Sequence, residues 1–192
     1  MILQYKLADS WNKMYKTSFL RKTNVAFFLD KRYNGTDLSF NHLIALHCPV
    51  YTVVHEALLY YRLTPNSRVR RKNKDLQTGF QMIITRILEE AAVLGYSQQV
   101  KEQIYLIYLD MIRRALADKY KESENYQDFV QKYALFKKKH IAYCKDNFSG
   151  VSADKSSKGT KLFCMLMTMP GTLPVYLYLG LRQRHIKKTV AK

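Results

Sequence analysis

The stretch Gly35-Thr36-Asp37-Leu38-Ser39-Phe40-Asn41-His42-Leu43-Ile44 decides how the front of the chain folds. Asn34-Gly35 before it marks a turn, because glycine enters backbone conformations that a Cβ forbids. Thr36-Asp37 then opens a helix, with Phe40, Leu43, Ile44 and His47 at spacings i, i+3, i+4 and i+7. Pro49 stops it, since the residue before a proline is pushed out of the helical region.

Upstream, Asp9 or Ser10 can cap a helix whose apolar side runs Trp11, Met14, Tyr15, Ser18, Phe19 and which ends near Arg21. Val25 to Leu29 is short and apolar and reads as a strand or a buried extended segment. Downstream, Val50 to Val54 and Ala57 to Arg62 read as two short strands, or one bent strand, around His55-Glu56. Thr64-Pro65-Asn66-Ser67-Arg68 forms a turn and leads into the cations Arg70, Arg71, Lys72 and Lys74.

Beyond this point the pattern is helical. Leu76, Phe80, Ile83, Ile84, Ile87, Leu88 and Ala91 make one stripe that Gly95 ends, and Ser97 can cap the next, carrying Val100, Ile104, Ile107 and Met111. A more polar helix is expected from about Glu124 to Asp146, with Phe129, Tyr133, Phe136 and His140 on one side. Residues 149–160 form a Ser, Gly and Lys-rich linker. From Leu162 to Leu181 there is no charged residue, but Pro170, Gly171 and Pro174 interrupt the run, so two short helices meeting at a bend are expected. Cations flank both ends: Lys158 and Lys161 before, Arg182, Arg184, Lys187 and Lys188 after. Such a segment suits attachment at the surface of one anionic leaflet, a membrane span, or docking on a soluble surface.

Over 192 residues, 32 Lys and Arg against 15 Asp and Glu give a formal charge of +17, which favours polyanionic partners. The hydrophobic share of 47% is enough for a core and excludes a disordered chain. Cys48, Cys144 and Cys164 are odd in number and far apart, which suggests neither a disulfide framework nor a zinc site and fits a reducing, cytoplasmic setting. The opening residues lack the pattern of a signal peptide. There is no glycine-rich phosphate loop, no Gly-x-Ser-x-Gly elbow and no His-Glu-x-x-His. Nor does a helix-turn-helix, zinc or aromatic-platform motif accompany the charge, so no nucleic-acid partner is expected, although a basic nucleic-acid-binding protein stays as an alternative.

Three blocks in order, Trp11-Asn12-Lys13-Met14-Tyr15-Lys16, Gly35-Thr36-Asp37-Leu38-Ser39-Phe40-Asn41, and Leu59-Tyr60-Tyr61-Arg62 with Asn66-Ser67, resemble the second half of a family 2 glycosyltransferase catalytic domain. The resemblance implies the C-terminal portion of an inverting enzyme of the GT-A fold, one that moves a sugar from a nucleotide-sugar to a hydroxyl of a cell-surface glycan precursor. In that family the general base is an aspartate at a helix start, which corresponds here to Asp37. A carboxylate there faces the positive end of the helix and leaves its open side to a hydroxyl proton. Thr36 departs from the glutamate that usually precedes the base.

By the same resemblance Trp11 stacks on a sugar ring, while Asn12 and Lys13 bond a sugar hydroxyl or a phosphate oxygen. Trp11 serves equally well as a core residue, and Lys13 as a solvated one. Arg62 and Ser67 would reach the diphosphate from a mobile loop, a guanidinium being able to grip phosphate through two bonds. GT-A enzymes hold the diphosphate through Mg or Mn on an Asp-x-Asp motif, and this sequence contains none. No metal or cofactor is therefore expected on the chain alone, and it would be inactive by itself.

The expected fold is mainly α with a few short strands. Residues 1–74 would be the C-terminal part of a GT-A α/β domain, 75–148 a helical region, and 149–192 a linker with a basic, apolar, membrane-associating tail. Expected partners are a nucleotide-sugar donor, a glycan acceptor, an anionic membrane surface at the cytoplasmic face, and a separate chain carrying the donor-binding half. The rival expectation is a noncatalytic scaffold for another glycan-synthesis enzyme.

Overall fold

Apolar stripes at helical spacing dominate the sequence, and helices dominate the structure. The computed structural model describes residues 9–27, 35–48, 50–56, 58–60 and 75–190, with the side chains of 186–190 outside the description. Among these residues there are seven helices and no strand: α1 (Thr17–Thr23), α2 (Thr36–His47), α3 (Leu76–Val93), α4 (Gln98–Lys121), α5 (Tyr126–Phe148), α6 (Lys158–Thr168) and α7 (Leu173–Val190). The chain divides into two compact units, Met1–Ile107 and Tyr108–Lys192, and α4 runs through the division.

The first unit is built on α2 packed against α3. Leu38, Phe40, Leu43, Ile44 and Leu46 are buried on α2, and Leu76, Phe80, Ile83, Ile84 and Ile87 on α3. Burying each such side chain is worth about 1.5–3 kcal/mol relative to leaving it in water. Asp75 starts α3 by accepting the Thr78 backbone N–H at 3.1 Å and the Thr78 hydroxyl at 2.6 Å. At the other end Gly95 takes φ 68°, which lets the Tyr96 N–H reach the Ala91 carbonyl and the Gly95 N–H reach that of Ala92, both at 3.0 Å. This double closure is the Schellman arrangement. The Tyr96 hydroxyl then donates to the Leu46 carbonyl, and His47 Nε2 meets Glu90 Oε1 at 2.7 Å, tying the end of α2 to the end of α3.

The expected strands are corrected by the structure. Val25 to Phe27 and Val50 to Val54 lie in no ladder, and neither does Leu58 to Tyr60; Phe28, Leu29, Ala57, Tyr61 and Arg62 fall outside the described residues. Tyr51, Val53, Val54 and Tyr60 are exposed. Valine and tyrosine favour strands only through packing on a pleated neighbour, and the described residues supply no neighbour. The first helix is also shorter than expected: Trp11 to Lys16 is turn and extended chain, and α1 begins only at Thr17 and ends with Asn24 at φ 53°.

In the second unit the C-terminal half of α4, together with α5, α6 and α7, encloses Ile112, Leu116, Phe129, Phe136, Phe163 and Val175. Asn125 caps α5 by accepting the Asp128 N–H at 3.0 Å, and Ser157 caps α6 by accepting that of Thr160 at 3.2 Å. The Thr160 hydroxyl donates to Asp110 of α4 at 2.8 Å, anchoring the start of α6. Around Pro170 and Gly171 the chain breaks into two helices, as the prolines require. None of the helices among the described residues is long and apolar enough to cross a membrane.

His140 on α5 lies over the Tyr108 ring at 5.7 Å, with its Nδ1 3.1 Å from the Tyr108 hydroxyl. Burial pushes its pKa down to about 4. Between pH 6.5 and 4 the unfolded chain takes up a proton that the folded chain refuses, so stability falls as the pH drops through that window, by up to about 3 kcal/mol. Urea midpoints measured at pH 7 and pH 4.5 should therefore separate less for His140→Gln than for the wild type.

Candidate active site

The start of α2 is fixed by a close approach. Gly35 sits at φ 111°, and a Cβ built there would lie 2.8 Å from Ile83 Cδ1 of α3. Only glycine satisfies both the backbone and the space. Its carbonyl receives the Ser39 N–H at 2.9 Å, which sets Asp37 in the first turn, partly exposed.

The segment before α1 folds against this turn. The Tyr15 hydroxyl donates to Asn41 Oδ1, and the Tyr15 ring meets Phe40 edge-on at 5.5 Å. Phe27 stacks on the same Phe40 at 4.1 Å and 10°. Lys13 donates to the Asp9 carbonyl and, at 2.7 Å, to Asn12 Oδ1. Two of the sequence blocks, one holding Lys13 and Tyr15 and the other Asp37, Phe40 and Asn41, are thus brought together.

The electrostatics link them as well. Burial depresses the Lys13 pKa, while the charges of Asp9 and Asp37 pull it back up. Burial raises the Tyr15 pKa, and the negative charge of Asp37 raises it further. Trp11 is 46% exposed. Asn12 is exposed, its side-chain oxygen engaged by Lys13. Arg62 and Ser67, expected at the diphosphate, lie outside the described residues, as does the basic run from Arg68 to Lys74.

A carboxylate, a cation and a phenol that act on one another at a helix start suit a polar, hydroxyl-bearing ligand. Among the described residues no three His, Cys, Asp or Glu side chains converge as a metal site would need. A shallow recess on α3, lined by Thr78, Gln81, Met82, Thr85, Arg86 and Glu89, includes none of these side chains.

The sequence did not single out Asn41 and Phe40 as supports of the site. The available signal was a polar Asn41-His42 pair inside an apolar helix; both residues are buried, and His42 Nδ1 lies 2.7 Å from the Leu38 carbonyl. No family model, curated protein or solved structure matches the chain.

Gly35→Ala should cost about 1–3 kcal/mol in urea denaturation through backbone strain and the clash with Ile83. Combined with Ile83→Val, which removes the clashing methyl, it should cost less than the sum of the two single changes. In pH-dependent acylation followed by mass spectrometry, Lys13 should react with a midpoint below that of an ordinary lysine. Asp37→Asn should move that midpoint lower still, because an anion that favours the ammonium is gone.

Proposed function

We propose that the chain supplies the acceptor-facing part of an inverting family 2 glycosyltransferase, with Asp37 as general base. In this reading Asp37 takes the proton of an acceptor hydroxyl as its oxygen bonds to the anomeric carbon of the donor sugar. The bond from that carbon to the diphosphate breaks, and the nucleoside diphosphate leaves with the electron pair. Trp11 lines the sugar's apolar face, and Asn12 and Lys13 meet its hydroxyls or a phosphate oxygen.

The observation that carries the reading is the meeting of the first two blocks: the Tyr15 hydroxyl donates to Asn41 Oδ1 and its ring meets Phe40 at 5.5 Å, both on the helix that opens with Thr36-Asp37. Residues far apart in sequence thereby meet on the helix whose first turn holds the carboxylate that the resemblance selects. The sequence contains no Asp-x-Asp, so donor and metal binding are assigned to polypeptide outside residues 1–192. No step is routed through a metal on this chain.

Thr36, in place of the family's glutamate, favours a second reading, a noncatalytic partner in glycan synthesis that keeps this surface without the chemistry. In cells whose surface glycan depends on the chain, Asp37→Asn should lower the product by about a hundredfold or more at unchanged chain level. An unaltered glycan would leave only the partner role. Residues 1–192 alone, given nucleotide-sugars with Mg or Mn, should release no nucleoside diphosphate, and turnover there would overturn the assignment of donor binding elsewhere.

A further inference from the structure

Residues 155–192 contain no acidic residue, yet they include Lys155, Lys158, Lys161, Arg182, Arg184, Lys187 and Lys188. Within this cationic tail, Leu162 to Leu181 carries no charge at all. The helices α6 and α7, joined through residues 169–172, pack against each other and bury Phe163, Leu166, Met167, Val175 and Leu179. Their other sides are open. Leu162 and Met165 on α6 and Leu173, Leu177 and Leu181 on α7 are 40–66% exposed. The three leucines recur every fourth residue and so form one line along α7.

Scattered exposed leucines are ordinary, but an aliphatic line inside an uncharged segment marks a contact surface. The charges around it are ordered. Lys158 and Lys161 stand in the first turn of α6 and Arg184 in the later half of α7, at the ends remote from the connection. Lys137 of α5 reaches the Met169 carbonyl in the connection at 3.5 Å, and its long stem lets an ammonium lie beside apolar surface. At 1.5 Å per residue, the uncharged parts are about 10 Å long on α6 and about 14 Å on α7. That is too short for the roughly 30 Å of a bilayer's hydrocarbon and within the depth of one leaflet.

We propose that the open faces of α6 and α7 dock on an anionic lipid surface. Their leucine and methionine side chains enter the acyl boundary, and Lys158, Lys161 and Arg184 meet the headgroup phosphates. Hydrocarbon beneath a layer of negative charge complements both features at once. A nucleic acid would answer the cations and leave the leucines without a partner. This inference stands on α6 and α7 alone and does not depend on the role given to Asp37.

Cosedimentation with vesicles tests it. The chain should bind phosphatidylcholine vesicles that contain about 30% phosphatidylglycerol, fail to bind pure phosphatidylcholine, and weaken at about 0.5 M salt. Leu173→Ser, Leu177→Ser and Leu181→Ser combined should reduce binding at least about tenfold, and so should Lys158→Gln, Lys161→Gln and Arg184→Gln combined. Circular dichroism should be unchanged in both, because the substituted side chains lie on open faces. Leu177→Trp should add a fluorescence component that shifts to the blue on anionic vesicles. Absence of binding, binding that ignores the leucine changes, absence of the blue shift, or tighter binding to duplex DNA would each overturn the proposal.

Discussion

The first unit depends on how closely α2 lies against α3, and Gly35 sets that distance. A Cβ there would stand 2.8 Å from Ile83 Cδ1, so the start of α2 rests directly on the Ile83 side chain of α3. The far end of α2 is held by polar ties, the Tyr96 hydroxyl on the Leu46 carbonyl and His47 on Glu90. Between the two ends the contact is aliphatic and aromatic, and close-packed interiors tolerate little displacement. The first turn of α2, with Asp37 in it, is consequently fixed from both directions.

Against it packs a segment without regular structure. Tyr15 is anchored by its bond to Asn41 and by the edge of Phe40, both on α2. Lys13 follows two residues earlier, partly shielded from water and turned back on Asp9 and Asn12. A polar group held by packing keeps its geometry without a ligand. The second unit works differently. Its inner faces are filled with rings, among them Tyr120, Phe129 and Tyr176, and on its outer faces α6 and α7 expose Leu162, Met165, Leu173, Leu177 and Leu181.

The long helices were legible because their apolar residues repeat every 3.6 positions and their boundaries carry chemistry: Asp75, Asn125 and Ser157 cap with side-chain oxygens, and Gly95 closes α3. The bend at Pro170 was legible for the same local reason. Trp11 to Tyr15 misled because helical spacing over so few residues is met by chance, while Lys13 has local carbonyls to bond instead of a helical turn. Val50 to Tyr60 misled because strand preference is a statement about neighbours that a single segment cannot make.

Asp37 was legible as a helix-start carboxylate in a patterned block, and Trp11 and Lys13 as members of another block. The supports were not: Asn41, Phe40 and Phe27 gain their roles from contacts across stretches of chain whose lengths say nothing about proximity. By itself the sequence determined the positions of the long helices, their caps, the break at the prolines and the excess of positive charge, since each follows from bonds and spacings within a few residues. Only the tertiary structure decided that Tyr15 meets Asn41 and Phe40 of α2 and that the leucines of α7 stay open. Those outcomes depend on which apolar faces find one another, and burial is a property of the packed chain as a whole.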